Sequence, residues 1–246
     1  MTEKLQKVLA NAGYGSRRQI EEWIKEGRIM INGRPAQLGD RITVQDKIRL
    51  NNKAINLSGK TPDKIRVVLY HKPEGEVCSR SDPEGRPSVF KNLPEIKQGR
   101  WVNIGRLDIN TSGLLMFSND GDLVNQLTHP SNEVEREYAV RVLGKVTPEM
   151  IENMTKGIML DDGMAKFDSI RDAGGKGANH WYHVVLHEGR NREVRRLWES
   201  QGITISRLIR VRFGNISLPS RLRAGKWEEM KEQEINKLRE SLKKED

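Results

Sequence analysis

The stretch "LSGKTPDK", residues 57–64, limits what this chain can fold into more than any other. It is polar, carries Gly and Pro, and shows neither a twofold nor a 3.6-residue apolar period, which suits a linker. About sixty residues precede it, enough for one small module. The chain beyond it, from about Ile65, is long enough to bury a core of its own. The expectation is two domains, residues 1–60 and 61–246, joined through 57–64.

In the first part, Leu5, Val8, Leu9 and Ala12 recur at helical spacing, and Gly13 supplies a left-handed stop. Ser16 with Gln19 reads as a capping box that opens a second helix, with Ile20, Trp23 and Ile24 as its apolar positions and Gly27 as its end. Turn signals at Asn32-Gly33, Gly39-Asp40 and Asn51-Asn52 then cut the chain into short strands, a small twisted sheet behind the helix pair. In the second part, "IRVVLYHKPEG" runs an apolar strand into a Pro/Gly turn, and Thr147, Pro148 and Glu149 start a helix that Gly157 closes. Asp162-Gly163 and "GGKGAN" separate further strands, including "WYHVVL" at 181–186, and a last helix is expected from about Trp227.

The formal charge is +9 and the sequence pI about 9.6, which favours a polyanionic partner. Residues 1–60 hold twelve Lys or Arg against six Asp or Glu, so the excess is concentrated there. Lys4, Lys7, Arg17 and Arg18 surround the helix start at Ser16, where free N–H groups and the helix dipole favour a phosphate. No window approaches the roughly 18 uncharged apolar residues of a membrane span, and "MTEKLQKVLA" lacks the apolar centre of a signal peptide, so a cytoplasmic protein is expected. The single Cys78 excludes an internal disulfide and a multi-cysteine zinc site. His180, His183 and His187 would share a helix face and invite a metal. "HVVLH" is rich in β-branched residues, however, and in a strand His180 points away from the other two, so no metal site is expected.

"GRLDINTSGLL", residues 105–115, carries the most chemistry. A strand ending near Ile104 and a second from Leu114 place Asp108 at the tip of a turn, where an Asp in isolation is more often an Asx-turn or a helix cap. Two further segments bear on it. "VEREYAVRV" alternates so that Val134, Arg136, Tyr138, Val140 and Val142 share a strand face, which sets a phenol among apolar neighbours. "EGRNREVRRLWESQG" reads as a helix with Val194, Leu197 and Trp198 as its buried stripe and Arg192, Arg195 and Arg196 close beside it. An arginine turned inward there needs a carboxylate partner.

Residues 4–34, "KLQKVLANAGYGSRRQIEEWIKEGRIMINGR", resemble the S4 RNA-binding domain. That resemblance implies contact with structured RNA through Lys4, Lys7, Ser16, Arg17, Arg18 and Arg34. Together with "HKPEG", "GRLDINTSGLL", "REYAVRV" and "EGRNREVRRLW", in this order, it makes essentially the whole chain resemble ribosomal RNA pseudouridine synthases. The branch in question holds type A, which serves the small ribosomal subunit, together with types B, E and F, which serve the large one. "DPEGRPSVF" and "GRNREVRRLWE" bring the chain nearer to the large-subunit members. The resemblance implies an α+β fold: an S4-like module and a catalytic domain built on a mixed, mostly antiparallel sheet with surrounding helices.

It further implies that Asp108 is the nucleophile or base, Tyr138 the ring that stacks on the target uracil, and Arg195 the basic partner of the aspartate. Arg106 would hold the RNA open around the flipped base. Arg192 and Glu193 stand where the family pattern has His-Gln, which leaves Arg192 as a competitor for the pairing role. The implied activity converts one uridine of 23S rRNA, in the peptidyl-transferase region of domain V, to pseudouridine. It would need no cofactor and would act as a monomer on rRNA or an assembling large-subunit particle. Alternatives are a synthase for another site such as one in 16S rRNA, a non-catalytic RNA-binding assembly factor, and a hydrolase that pairs Asp108 with Asp82.

Overall fold

The computed structural model describes residues 2–43, 45–57, 64–176 and 179–242, with the backbone alone at Lys176. The linker expected at 57–64 therefore lies almost wholly outside the described residues. The chain divides into two compact units. One comprises Met1–Arg66 with Pro94–Val102 and Ser118–Gly121, and the other comprises Val67–Leu93, Asn103–Phe117 and Asp122–Asp246.

The first unit contains β1 (Glu3–Lys4), α1 (Leu5–Asn11), α2 (Arg17–Lys25), β2 (Ile29–Ile31), β3 (Arg34–Pro35), β4 (Arg41–Ile42), β5 (Ile48–Leu50) and β6 (Lys53–Ile55). Leu5, Leu9, Ile20 and Ile24 of the helices bury against Ile29, Ile31 and Ile48 of the sheet, and each such side chain contributes about 1.5–3 kcal/mol of burial. Ser16 Oγ accepts from the Gln19 N–H at 3.0 Å, so one half of the expected capping box forms. Asn32-Gly33 and Asn51-Asn52 adopt the paired positive φ of two-residue hairpins and give a sheet of order β3-β2-β5-β6. Arg41–Ile42 departs from the expected single sheet. It pairs with Glu3–Lys4 instead, an arrangement that buries Ile42 in the same core.

The elements that follow are β7 (Val67–Lys72), β8 (Val102–Ile104), β9 (Ser112–Ser118), α3 (Gly121–Thr128), β10 (Arg136–Leu143), α4 (Pro148–Lys156), β11 (Ile158–Leu160) and β12 (Gly163–Ala165), which among the described residues pair only with each other, β13 (Ser169–Lys176), β14 (Asn179–Leu186), α5 (Glu193–Glu199), β15 (Thr204–Phe213), β16 (Ile216–Ser217), β17 (Trp227–Glu229) and α6 (Glu232–Glu240). Among the described residues nine strands form one sheet of order β13-β14-β10-β15-β9-β7-β17, with β16 beside β15 and β8 beside β9. The β13/β14, β10/β14, β10/β15 and β7/β17 pairs are antiparallel, and β9/β15 is parallel. The fold is thus α+β on a mixed, mostly antiparallel sheet, as expected.

Two boundaries differ from the sequence reading. β9 starts at Ser112, because Gly113 takes a φ of 106° and lets its backbone lie against that of Arg210. A Cβ there would stand 2.3 Å from the Arg210 carbonyl oxygen. Trp227 belongs to an edge strand opposite Tyr70, and the last helix begins five residues later. A three-residue segment shows no period of its own, so its long-range partner decides its state.

Candidate active site

Asp108 sits in the turn between β8 and β9, half-buried, just after exposed Arg106 and buried Leu107. The turn is held almost entirely through its backbone. Lys72, at the end of β7 and 0% exposed, directs its ammonium at the carbonyls of Asp108 (3.1 Å), Ile109 (3.4 Å), Thr111 (2.8 Å) and its own neighbour Pro73 (3.0 Å). Burial pulls its pKa below the usual lysine value, and this ring of carbonyl dipoles takes the place of water around the charge. Cys78 Sγ donates to Leu107 O at 3.3 Å and faces the Leu107 N–H at 3.5 Å. The Thr111 N–H donates to Asp108 O at 3.0 Å. The Asp108 carboxylate makes no hydrogen bond or ion pair among the described residues, so it is neither an Asx-turn nor a helix cap.

That carboxylate faces a cleft of about 260 Å³ that is also lined by Tyr138, Leu186, Leu208 and several arginines. Tyr138 comes from β10 and is 8% exposed. Its direct cross-strand neighbour is Arg210 of β15.

The expected Arg195–Asp108 pair is not formed. Arg195 donates from Nη2 to Asn110 O at 2.8 Å and from Nη1 to Ile205 O at 3.4 Å, so it grips the turn two residues past the acid. The burial of Val194, Leu197 and Trp198 fixes α5 in this register, and backbone oxygens meet the guanidinium before the carboxylate does. Burial works against the Arg195 charge, while Asp108 supports it through space. Arg192 is no competitor. It stands ahead of α5 in the left-handed region, at φ 49°, and pairs with Glu199 at 3.2 Å. Arg196 forms a two-pronged pair with Asp162, 2.8 Å at each prong.

The cleft is strongly electropositive. Arg106, Arg136, Arg195 and Arg210 line it without an ion pair among the described residues, against the one uncommitted carboxylate of Asp108. Asp82, the second acid of the hydrolase alternative, does not line the cleft. Arg86 holds it at 2.7 and 3.0 Å, and that contact lowers its pKa. His180, His183 and His187 each meet a carboxylate at 2.7 Å, those of Asp172, Glu137 and Asp168 respectively.

Glu193, 3% exposed, accepts the Arg190 N–H at 3.0 Å, and burial raises its pKa. The folded state therefore holds this proton more tightly than the unfolded chain, and stability falls as pH rises from the ordinary glutamate value through the raised one. Glu193→Gln keeps an acceptor and removes the buried charge. Thermal unfolding between pH 4 and 8 should show this variant at least as stable as the parent near neutrality, and without that fall.

Residues 66–200 match the RNA pseudouridylate synthase family, and residues 3–56 match the S4 domain. The chain belongs to the RNA pseudouridylate synthase family. It is 57% identical over 241 residues to a ribosomal large subunit pseudouridine synthase B of Pseudomonas aeruginosa, a match over 98% of this chain and 62% of the relative. The synthases of that name from Haemophilus influenzae and Escherichia coli are 58% and 54% identical. Those matches cover 97% and 98% of this chain, and 67% and 83% of the relatives. A crystal structure of a pseudouridylate synthase superposes with a TM-score of 0.67 at 24% identity, over 96% of this chain and 99% of the other, and shares the fold.

Within this pseudouridylate synthase fold the structure gathers Arg106, Asp108, Tyr138, Arg192 and Arg195 at one cleft. The S4-domain residues stand in different states. Lys4, Arg17 and Arg18 are exposed, Lys7 pairs with Glu3 at 3.1 Å, and Arg34 pairs with Asp40 at 3.0 Å. The Ser16 hydroxyl oxygen is occupied as a cap. Arg41 lies opposite Lys4 and adds a basic residue there that the sequence reading missed. It also missed Lys72, Arg136 and Arg210. The signal available for Lys72 was a basic residue closing the apolar run of β7, and for Arg210 the twofold alternation that sets it on the buried face with Leu208.

Proposed function

We propose that this chain converts a uridine of 23S ribosomal RNA to pseudouridine, in the peptidyl-transferase region of domain V. It works as a cytoplasmic monomer without a cofactor, on free rRNA or an assembling large-subunit particle. Residues 1–60 serve as the RNA-docking S4 domain and 61–246 as the catalytic domain. The observation that carries this reading is the cleft itself: among the described residues, one uncommitted carboxylate, one nearly buried phenol, and four arginines without ion pairs.

A duplex hides the sugar and ring atoms of its bases, so the target must leave the stack at a cost of a few kcal/mol. Stacking on Tyr138 recovers part of that cost, and Arg106, exposed at the cleft, draws in a flanking phosphate. Asp108, held by its backbone, then acts on the exposed nucleoside as nucleophile or base. The C1′–N1 bond breaks, the uracil turns, C5 bonds to C1′, and the proton on C5 is lost. No electrons are gained or lost overall.

The test is release of tritium from 5-labelled uridine in a 23S domain V transcript, with nucleoside mass spectrometry of the product. Failure to form pseudouridine in either 23S or 16S transcripts would remove the reading. For docking, Arg17→Ala with Arg18→Ala should weaken RNA binding and lower the slope of log affinity against log salt. The expected change is about 0.7 for each phosphate no longer neutralised on a single strand. Filter binding across a salt series measures it, and an unchanged slope would take the S4 face out of docking.

A further inference from the structure

Arg210 is 1% exposed, yet no carboxylate balances its charge among the described residues. Nε donates to Leu114 O at 2.7 Å, while Nη2 is buried with no acceptor. The guanidinium lies 5.2 Å from the centre of the Phe213 ring, and Arg136 lies 5.2 Å from the same ring, so the two cations share one aromatic neighbour. Enclosing a guanidinium without a carboxylate partner costs several kcal/mol, and among the described residues one carbonyl and one ring face return only part of it. Such a cost is sustained where a bound molecule supplies the missing acceptor.

Position indicates which acceptor. Arg210 lines the cleft, is the direct cross-strand partner of Tyr138, and brings Nη1 to 3.7 Å from the place a Cβ on Gly105 would occupy, at the start of the Asp108 turn. Opposed side chains on adjacent strands stand about 4.5–5.5 Å apart at Cβ. A pyrimidine stacked on the Tyr138 ring would turn an edge toward Arg210, and only the edge that runs from O2 through N3 to O4 offers a guanidinium acceptors.

We infer that Arg210 is a catalytic residue that donates an N–H to a ring oxygen of the flipped uracil and stabilises the negative charge the base acquires when it leaves the sugar. This rests on the pseudouridine-forming reading of the cleft. When C1′–N1 breaks, the bonding pair departs with the base and spreads over its ring oxygens. The guanidinium stays protonated throughout, so it supplies charge and a hydrogen bond and transfers no proton. The base anion then bonds to C1′ through C5, and the C5 proton leaves to a general base.

Two domain V transcripts, one containing uridine and one 5-fluorouridine, test this under single-turnover conditions, with loss of the starting nucleoside followed by mass spectrometry. Fluorine acidifies the ring and makes the base a better leaving group, which reduces its need for a nearby cation. Arg210→Met should slow the uridine reaction by roughly 100- to 1000-fold, the scale of removing one oxyanion donor, and the 5-fluorouridine reaction by at least about tenfold less, at unchanged RNA affinity. Equal slowing of both substrates would assign Arg210 to holding β9 against β15 and overturn the inference. Arg210→Gln, which keeps a donor for Leu114 O, carries the same comparison if the Met variant does not unfold cooperatively. Loss of cooperative unfolding in both variants also overturns it. A parent chain that forms no pseudouridine removes the underlying reading, a result separate from any of these.

Discussion

Asp108→Asn is expected to unfold at the same temperature as the parent, to bind ribosomal RNA equally well, and to form pseudouridine at least about ten-thousand-fold more slowly. The unchanged fold is expected because the side chain carries none of it. Its carboxylate accepts nothing from the described residues, and the turn around it is held by carbonyls that an asparagine leaves in place. The lost rate is a matter of chemistry. The amide has the same shape and no charge, so it is a poor nucleophile and a poor base. Tritium release from 5-labelled uridine reports the rate and thermal unfolding reports the fold. Release at the parental rate would take Asp108 out of the reaction.

Lys72→Met should damage both stability and rate. The methionine chain has comparable length but no donor, so the carbonyls of Pro73, Asp108, Ile109 and Thr111 lose the ammonium at their centre. A buried polar group left without a partner costs about 1–3 kcal/mol. The variant no longer buries a charge, which returns part of the loss, so a net destabilisation of about 3 kcal/mol is expected. A turn freed at three of its residues shifts the acid, and a displacement of about 1 Å at a reacting group costs on the order of 100-fold in rate. Denaturant unfolding and single-turnover kinetics measure the two effects. A variant that loses stability but keeps its rate would mean that the turn holds its shape without the lysine.

The same two residues show where sequence reading succeeds and where it stops. Asp108 stood out because a carboxylate in a turn ahead of an apolar strand demands an explanation, and Tyr138 because alternation put a phenol on a buried face. The α2 and α4 helices were legible from their caps and apolar stripes, α5 from its stripe alone, and both Asn-rich hairpins from their turn residues. Lys72 and Arg210 were not recognised, because their acceptors are largely or wholly backbone carbonyls, and a carbonyl has no residue identity to serve as a complementary signal. The Arg195–Asp108 pairing failed for the same reason: carbonyls of Asn110 and Ile205 satisfy the arginine. Arg41–Ile42 and Trp227–Glu229 were misplaced because such short strands take their partner from distant sequence, Glu3–Lys4 in one case and β7 in the other.

The parallel joint between β9 and β15 consists of two residue pairs, Ile209 with Ser112 and Arg210 with Gly113. The acid is borne by the turn leading into β9, while the phenol is borne by β10 on the far side of β15. Closure of that joint brings together segments 96 residues apart in the chain, the kind of pairing that forms late during folding. A nascent polypeptide that has emerged only through residue 200 already contains both reactive side chains but has no surface on which they meet. The proposed chemistry therefore waits on β15, the strand that joins the element bearing the acid to the element bearing the phenol.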